Sequence, residues 1–240
     1  MASSESTTLT IWVKTGSMNE DKKINGISHF LEHMVFKGSS KRPSAKEISE
    51  VVDSFGGEFN AATSKDWTNF YIKCRNASIE TAFDVLSDMV LNPTLPLSEI
   101  EKEKQVILEE IKMYKDQPQS YVHELLDELL WPKQPLGAPI IGTVESISQI
   151  KREDLNLFKQ KYYTPSNIVI SAAGLLEFDK LAKNVAKFFS RQKKQNTNTF
   201  TKVKEEQDIA QLKVFHKDTE QTHMALGFHA FKRDHPLRHA

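Results

Sequence analysis

Gly26-Ile27-Ser28-His29-Phe30-Leu31-Glu32-His33-Met34-Val35-Phe36 decides how the rest of the chain is read. Wound as an α-helix, at about 100° per residue, it gathers Ile27, Phe30, Leu31, Met34 and Val35 into one apolar stripe and turns His29, Glu32 and His33 roughly the opposite way. The stripe needs a core to bury it. The polar face is equipped for chemistry: imidazoles at i and i+4 offer two neutral nitrogens to one metal ion, and the carboxylate between them stands beside any water that ion holds. His-x-x-Glu-His is the inverted zinc-hydrolase pattern.

Two histidines on an isolated surface helix would be the plainer reading of those five residues. A second stretch changes the balance. After Pro93 and Pro96, Ser98 and Glu101 have the spacing of a capping box, which predicts a helix running through residues 103–111. Its expected apolar stripe is Ile100, Val106, Ile107, Ile111 and Tyr114, and two carboxylates, Glu103 and Glu110, fall within it. An ionised carboxylate on a buried face is costly unless a cation or donors meet it, so both read as metal-site residues. Glu110 follows Glu103 by two near-complete turns, whereas Glu109 points about 100° away. Glu110 is therefore the expected third ligand and Glu109 faces solvent. Two imidazoles and one carboxylate leave a tetrahedral zinc with one open position, the catalytic pattern.

The ordered set His29-Phe30-Leu31-Glu32-His33, Glu103 and Glu110 resembles the insulinase and mitochondrial-processing-peptidase family of zinc peptidases. Gly56-Gly57-Glu58-Phe59-Asn60-Ala61, Leu136-Gly137-Ala138-Pro139-Ile140-Ile141-Gly142-Thr143 and Tyr162-Tyr163-Thr164-Pro165-Ser166-Asn167 fit the same family, so the similarity covers nearly the whole chain. The resemblance implies a zinc-dependent endopeptidase with one Zn2+ per chain, held by His29, His33 and Glu110. Glu32 acts as general base on a metal-bound water, and Glu103 orients a ligand or contributes charge. It further implies that the strand at Phe59, Asn60 and Ala61 is an edge onto which a peptide or unfolded polypeptide substrate adds as an extra strand. Ala62 stands where relatives commonly carry an aromatic residue.

The rest of the sequence fits an α+β domain, an antiparallel or mixed sheet packed against helices. The chain has 240 residues with Lys plus Arg equal to Asp plus Glu, 32 each, so no basic field marks a nucleic-acid partner. No apolar run reaches the ~18 residues of a membrane helix, and the first residues lack the apolar core of a signal peptide. With Cys74 as the single cysteine, no intramolecular disulfide is possible, which points to a reducing, cytoplasmic setting.

Along the chain, residues 8–14 alternate as a half-buried strand, residues 16–25 form a polar loop, and Gly38-Ser39-Ser40 ends the metal helix. Ser44 and Glu47 make a capping box for a helix carrying Ile48, Val51, Val52 and Phe55. Residues 58–63 and 68–75 read as a hairpin turned at Ser64-Lys65-Asp66. Asn76-Ala77-Ser78 is expected to cap a helix bearing Ile79, Ala82, Phe83, Leu86 and Val90. Further helices carry Leu125 and its neighbours, Leu155 with Phe158 and Tyr162, and Leu181 with Val185 and Phe188. Residues 168–173 read as a buried strand, 190–207 as a polar surface connection, and 211–216 and 222–228 as two more strands. His123 reads as a surface or packing histidine, and the scattered His216, His223, His229, His235 and His239 lack ligand spacing.

The resemblance divides the chain into a catalytic peptidase domain over residues 1–215 and, over 216–240, the start of a second half that closes the cleft. That partner is a second homologous half or subunit. Two other readings share parts of the pattern. One is a non-catalytic structural subunit of the same fold; the other is a small-molecule metal lyase with a cysteine among its ligands, for which Cys74 is the available residue.

Overall fold

A computed structural model describes residues 4–189, 202–205 and 207–239. Strand β1 (Ser6–Val13) shows the expected alternation, with Leu9, Ile11 and Val13 fully buried and Thr10 and Trp12 half-exposed between them. It pairs antiparallel with β3 (Thr68–Arg75) on one side and β4 (Ile168–Ala173) on the other, and β2 (Glu58–Thr63) adds to β3, giving the order β2-β3-β1-β4. Register sets Leu9 opposite Ile72 and Ala172, and Ile11 opposite Phe70 and Ile170, so one face of the sheet is continuously apolar. The fold is α+β, an open antiparallel sheet with helices packed on that face.

Helix α1 (Ile27–Val35) lies over the β2 end of the sheet, with Ile27, Phe30, Leu31, Met34 and Val35 completely buried. Burying each of the larger side chains contributes roughly 1.5–3 kcal/mol, enough to lock the rotation of a nine-residue helix about its axis. Helix α2 (Ala45–Ser54) starts at the predicted box: Ser44 Oγ accepts from the Glu47 amide at 3.3 Å, and Glu47 Oε2 accepts from the Ser44 amide at 3.2 Å. Helix α3 (Ile79–Leu91) covers β3 and β1. Helix α4 (Leu97–Asp116) packs beside α1 and against α5 (Pro118–Leu130), followed by the short α6 (Val144–Gln149), then α7 (Arg152–Tyr162), β4 and α8 (Phe178–Phe189). Among the described residues no helix is long and apolar enough to cross a membrane.

Several local expectations are corrected. The Ser98/Glu101 box does not form. Pro96, with φ fixed at −64°, already directs the chain into a helix that starts at Leu97, and no side chain caps it; Glu101 pairs instead with Lys104 at 3.0 Å. The buried line of α4 is Ile100, Glu103, Ile107 and Ile111, while Val106 and Tyr114 are 43% and 41% exposed, because neighbours cover the helix along one narrow strip. Ser78 makes no side-chain cap for α3; Asn76 instead accepts from Thr7 Oγ1 at 2.7 Å and donates to the Ser4 carbonyl at 2.7 Å, tying it to β1. Strand β4 is a sheet edge rather than a buried strand, with Val169 65% exposed.

Residues 211–216 and 222–228 form no ladder with the described sheet and take no regular secondary structure. They run against α5, where Phe215 meets Tyr121 edge-on at 5.1 Å between ring centroids and the Gly227 backbone nears Leu126 and Leu130. Met224, Leu226 and Phe228 remain exposed. Most of the polar stretch 190–207 lies outside the described residues.

Candidate metal centre

The polar face of α1 opens into a cleft of about 370 Å³ whose walls include Thr63 at the end of β2, Glu124 and Asp127 of α5, and the loop at Pro139–Ile141. His29, Glu32 and His33 reach this side because the opposite stripe is pinned in the core. Helix α4 passes beside α1 and brings two carboxylates to the same face.

His29 Nε2 and His33 Nε2 lie 3.3 Å apart, and Glu110 Oε2 is 3.8 Å from the first and 3.7 Å from the second. His29, His33 and Glu110 are the group of described His, Cys, Asp and Glu side chains that converges in this way, with all three donor atoms within 4.8 Å of one another. Tetrahedral ligands at zinc distances of about 2.0–2.1 Å stand about 3.3–3.5 Å apart, so the three donors are spaced to share one ion. Their chemistry agrees. His33 Nδ1 faces the Glu103 carboxylate at 3.0 Å, which orients the ring so that Nε2 points at the cluster. Burial, and secondarily the charge of the neighbouring His33, push the His29 imidazole down to a pKa of about 3, so that ring is neutral at pH 7. Two ring nitrogens and a carboxylate oxygen converge on one spot, the donor set a divalent cation takes.

Glu103 is the deepest acid of the site, its side chain 7% exposed, and Lys37 Nζ binds its other oxygen at 2.6 Å. A chain Lys37–Glu103–His33 therefore backs one of the candidate ligands, the arrangement by which an outer carboxylate fixes the ring of a metal-binding histidine. Glu110 is more open, 30% exposed, and Glu109 points to solvent with 71% exposure, as helical phase predicted. His29 has no such backing: its buried Nδ1 lacks a hydrogen-bond partner among the described residues.

Glu32 lines the cleft next to the cluster, and Thr63 Oγ1 donates a short hydrogen bond to its Oε2. Burial raises the Glu32 carboxyl above its ordinary value, with the Thr63 hydrogen bond and the charge of His33 pulling it back and Glu110 pushing it up. Phe59, Asn60 and Ala61 lie on β2, which pairs only with β3 in the described sheet. Phe59 turns inward against Phe36, at 5.4 Å between centroids, while Asn60 faces out and its Oδ1 accepts from the Ala61 amide at 2.8 Å. Cys74 is buried in β3 and is no member of the donor group. His123 is exposed at the far wall of the cleft.

Residues 1–144 match the family model described as insulinase, peptidase family M16, and residues 149–240 match the one described as peptidase M16 inactive domain. The chain belongs to peptidase family M16. A Bacillus subtilis protein named an uncharacterized zinc protease is 42% identical over 94% of this chain and 54% of its own length. The chain thus spans about half the length of the curated relatives it matches. Among solved structures, pitrilysin superposes with a TM-score of 0.75 at 26% identity, covering 84% of this chain and 22% of pitrilysin. A protease from Helicobacter pylori, at 24% identity, shares the fold with a TM-score of 0.77 over 85% of this chain and 49% of its own.

Three residues in or next to this site were not found by reading the sequence. Lys37 had a usable signal, since it follows His33 by one helical turn in number even though α1 ends at Val35. Thr63 becomes visible only through hairpin register, which turns it to the same face as Phe59 and Ala61. Glu20 sits in a loop without periodicity, and nothing in its neighbours announces it.

Proposed function

We propose that this chain carries the peptide-hydrolysing site of a zinc endopeptidase. The observation that carries the reading is the convergence of His29, His33 and Glu110 on one point, with Glu32 beside it in an open cleft. His29, His33 and Glu110 would hold one zinc ion. When bound, zinc supplies a Lewis acid that polarises a peptide carbonyl and makes water more acidic.

The protein's own groups do the rest. Glu32, its plane fixed by the Thr63 hydroxyl, takes the proton of the attacking water and returns it to the leaving amine. Glu103 keeps the His33 ring turned so that Nε2 faces the site, and Lys37 balances the charge of that buried acid. The substrate backbone adds along the free edge of β2 at Phe59, Asn60 and Ala61. The last residue of that strand is Thr63, so an added peptide leads straight to the base that Thr63 holds.

A second homologous half or subunit closes the cleft, with residues 1–215 forming the peptidase domain and 216–240 opening that half. Two facts support this: the curated relatives are about twice as long, and Met224, Leu226 and Phe228 stand exposed along an unladdered segment. The lyase reading is not favoured, because Cys74 lies outside the donor group.

The test is Glu32→Gln. It retains zinc and loses peptide cleavage by about 10²–10⁴-fold, the usual contribution of a general base. A variant that still cuts peptide at the parent rate removes Glu32 from this role.

A further inference from the structure

Glu20 is 4% exposed, makes its hydrogen bonds to Asn25, Gly26 and Ser28 rather than to the donor residues, and the hydrolytic reading leaves it without a task. A buried carboxylate is tolerated only where donors satisfy it. Here three do: Oε2 accepts from the Gly26 amide at 2.6 Å and from Asn25 Nδ2 at 3.0 Å, and Oε1 accepts from the Ser28 amide at 2.8 Å.

Those amides belong to the first turn of α1, whose N-cap, Gly26, has no side chain to serve as acceptor. Gly26 admits no other residue: its φ is +90°, and a Cβ there would stand 2.6 Å from the Ile141 carbonyl and 2.8 Å from Gly142 Cα. The cap is therefore delegated to a loop carboxylate. Asn25 extends the lock, donating to the Pro139 carbonyl at 3.0 Å, while its own carbonyl accepts from Ser146 Oγ at 2.7 Å. Pro139 and Ile141 line the cleft. One carboxylate thus ties the start of the metal helix to the loop that walls the substrate space.

The asymmetry between the two histidines says what this does. The Glu103 carboxylate, against Nδ1, holds His33 from outside, but Nδ1 of His29 has no partner among the described residues, so the placement of that ring depends on the backbone of the first turn. His29 is the third residue of α1, one position beyond the Ser28 amide that Glu20 binds.

We propose that Glu20 is the positioning residue for His29: by capping the first turn of α1 through the Gly26 and Ser28 amides, it sets His29 Nε2 for zinc and couples that turn to the cleft-lining loop. This rests on the zinc-site reading above. The experiment compares zinc affinity, by competition with a chromophoric chelator, in the parent chain, Glu20→Ala, Glu20→Gln and the control Ser44→Ala, together with amide hydrogen exchange of the zinc-free proteins. Ser44→Ala removes the cap of α2 and reports what lost stability alone does to zinc binding.

Glu20→Ala weakens zinc binding by about 10–100-fold, as for other outer partners of metal ligands, Glu20→Gln by less because it keeps one acceptor, and Ser44→Ala leaves it unchanged. The Gly26 and Ser28 amides exchange faster in both Glu20 variants. Should Glu20→Ala not fold, Glu20→Gln and its exchange rates decide alone. Parent-like zinc affinity in a folded Glu20→Ala, or parent-like exchange at Gly26 and Ser28 in Glu20→Gln, overturns the proposal. A parent chain that binds no zinc would instead sink the metal reading and leave the exchange comparison standing.

Discussion

Helices α1 and α4 meet at the same three donor atoms but are held in opposite ways. Six of the nine residues of α1 are buried, whereas α4 runs for twenty residues and buries four. Rotation of α1 by even one residue would drive His29 or His33 into the core and lift Phe30 or Met34 out of it, so both imidazoles are fixed by apolar packing. Helix α4 is fixed along a single line of contacts, and Glu110 sits at the border of that line while Glu103 lies within it. The comparison teaches that a paired-histidine platform is supplied rigidly by the core, and that the third donor, Glu110, comes from a helix with latitude to adjust.

Breaking the platform is expected to do the most. His33→Ala removes a ligand from the rigid helix and strands the buried Glu103 beside Lys37, so its loss of zinc affinity should exceed both that of Glu110→Ala and the ~10–100-fold of an outer partner. Equilibrium dialysis against zinc ranks them; an equal or reversed ranking contradicts the division between the two helices.

Packing offers the next contrast. Phe30→Ala, fully buried on α1, should lower unfolding stability in urea by about 3–5 kcal/mol, while Val106→Ala, 43% exposed on α4, should change it by no more than about 0.5 kcal/mol. Similar losses at both positions would mean that α4 is covered more completely than described.

Glu103→Gln sharpens the comparison where the helices touch. It keeps an acceptor for His33 Nδ1 but removes the charge that Lys37 balances, and zinc affinity should fall by about 10-fold or more. An unchanged affinity would reduce Glu103 to a packing residue.

The smallest effect lies away from both helices, in the loop that follows α1. Burial would raise the Asp84 carboxyl, but hydrogen bonds and charge from Lys41 and Arg42 outweigh it and hold the group below its ordinary value. A depressed carboxyl contributes stability above its unfolded pKa and loses that contribution as pH falls through the folded one. Asp84→Asn should therefore be slightly less stable than the parent at pH 7, with the difference shrinking below about pH 4. A gap constant with pH would contradict that assignment.

What could be read from the sequence follows the same division. The stripe of α1, the α2 capping box and the hairpin of β2 and β3 were legible because period alone decides which side chains a core must take. Helical phase likewise picked Glu110 over Glu109. It failed at Val106 and Tyr114, since period does not reveal how wide a strip the neighbours cover. Ser98-x-x-Glu101 carried a valid cap signature two positions too late, after Pro96 had already set the turn. Residues 211–216 and 222–228 alternate like strands, but a strand is defined by its partner, which local pattern does not supply. Glu20, Thr63 and Lys37 act through hydrogen bonds between separate segments, and those appear only when the segments are folded together.

The central claim is that one zinc is gripped by two imidazoles of α1 and one carboxylate of α4. Zinc X-ray absorption on the purified chain, with the metal content measured on the same sample, tests it most directly. The account predicts one zinc per chain surrounded only by nitrogen and oxygen at about 2.0–2.2 Å, with the two-imidazole signature lost in His33→Ala. A sulfur neighbour at about 2.3 Å, which only Cys74 or a methionine could provide, or an imidazole signature unchanged in His33→Ala, would contradict it.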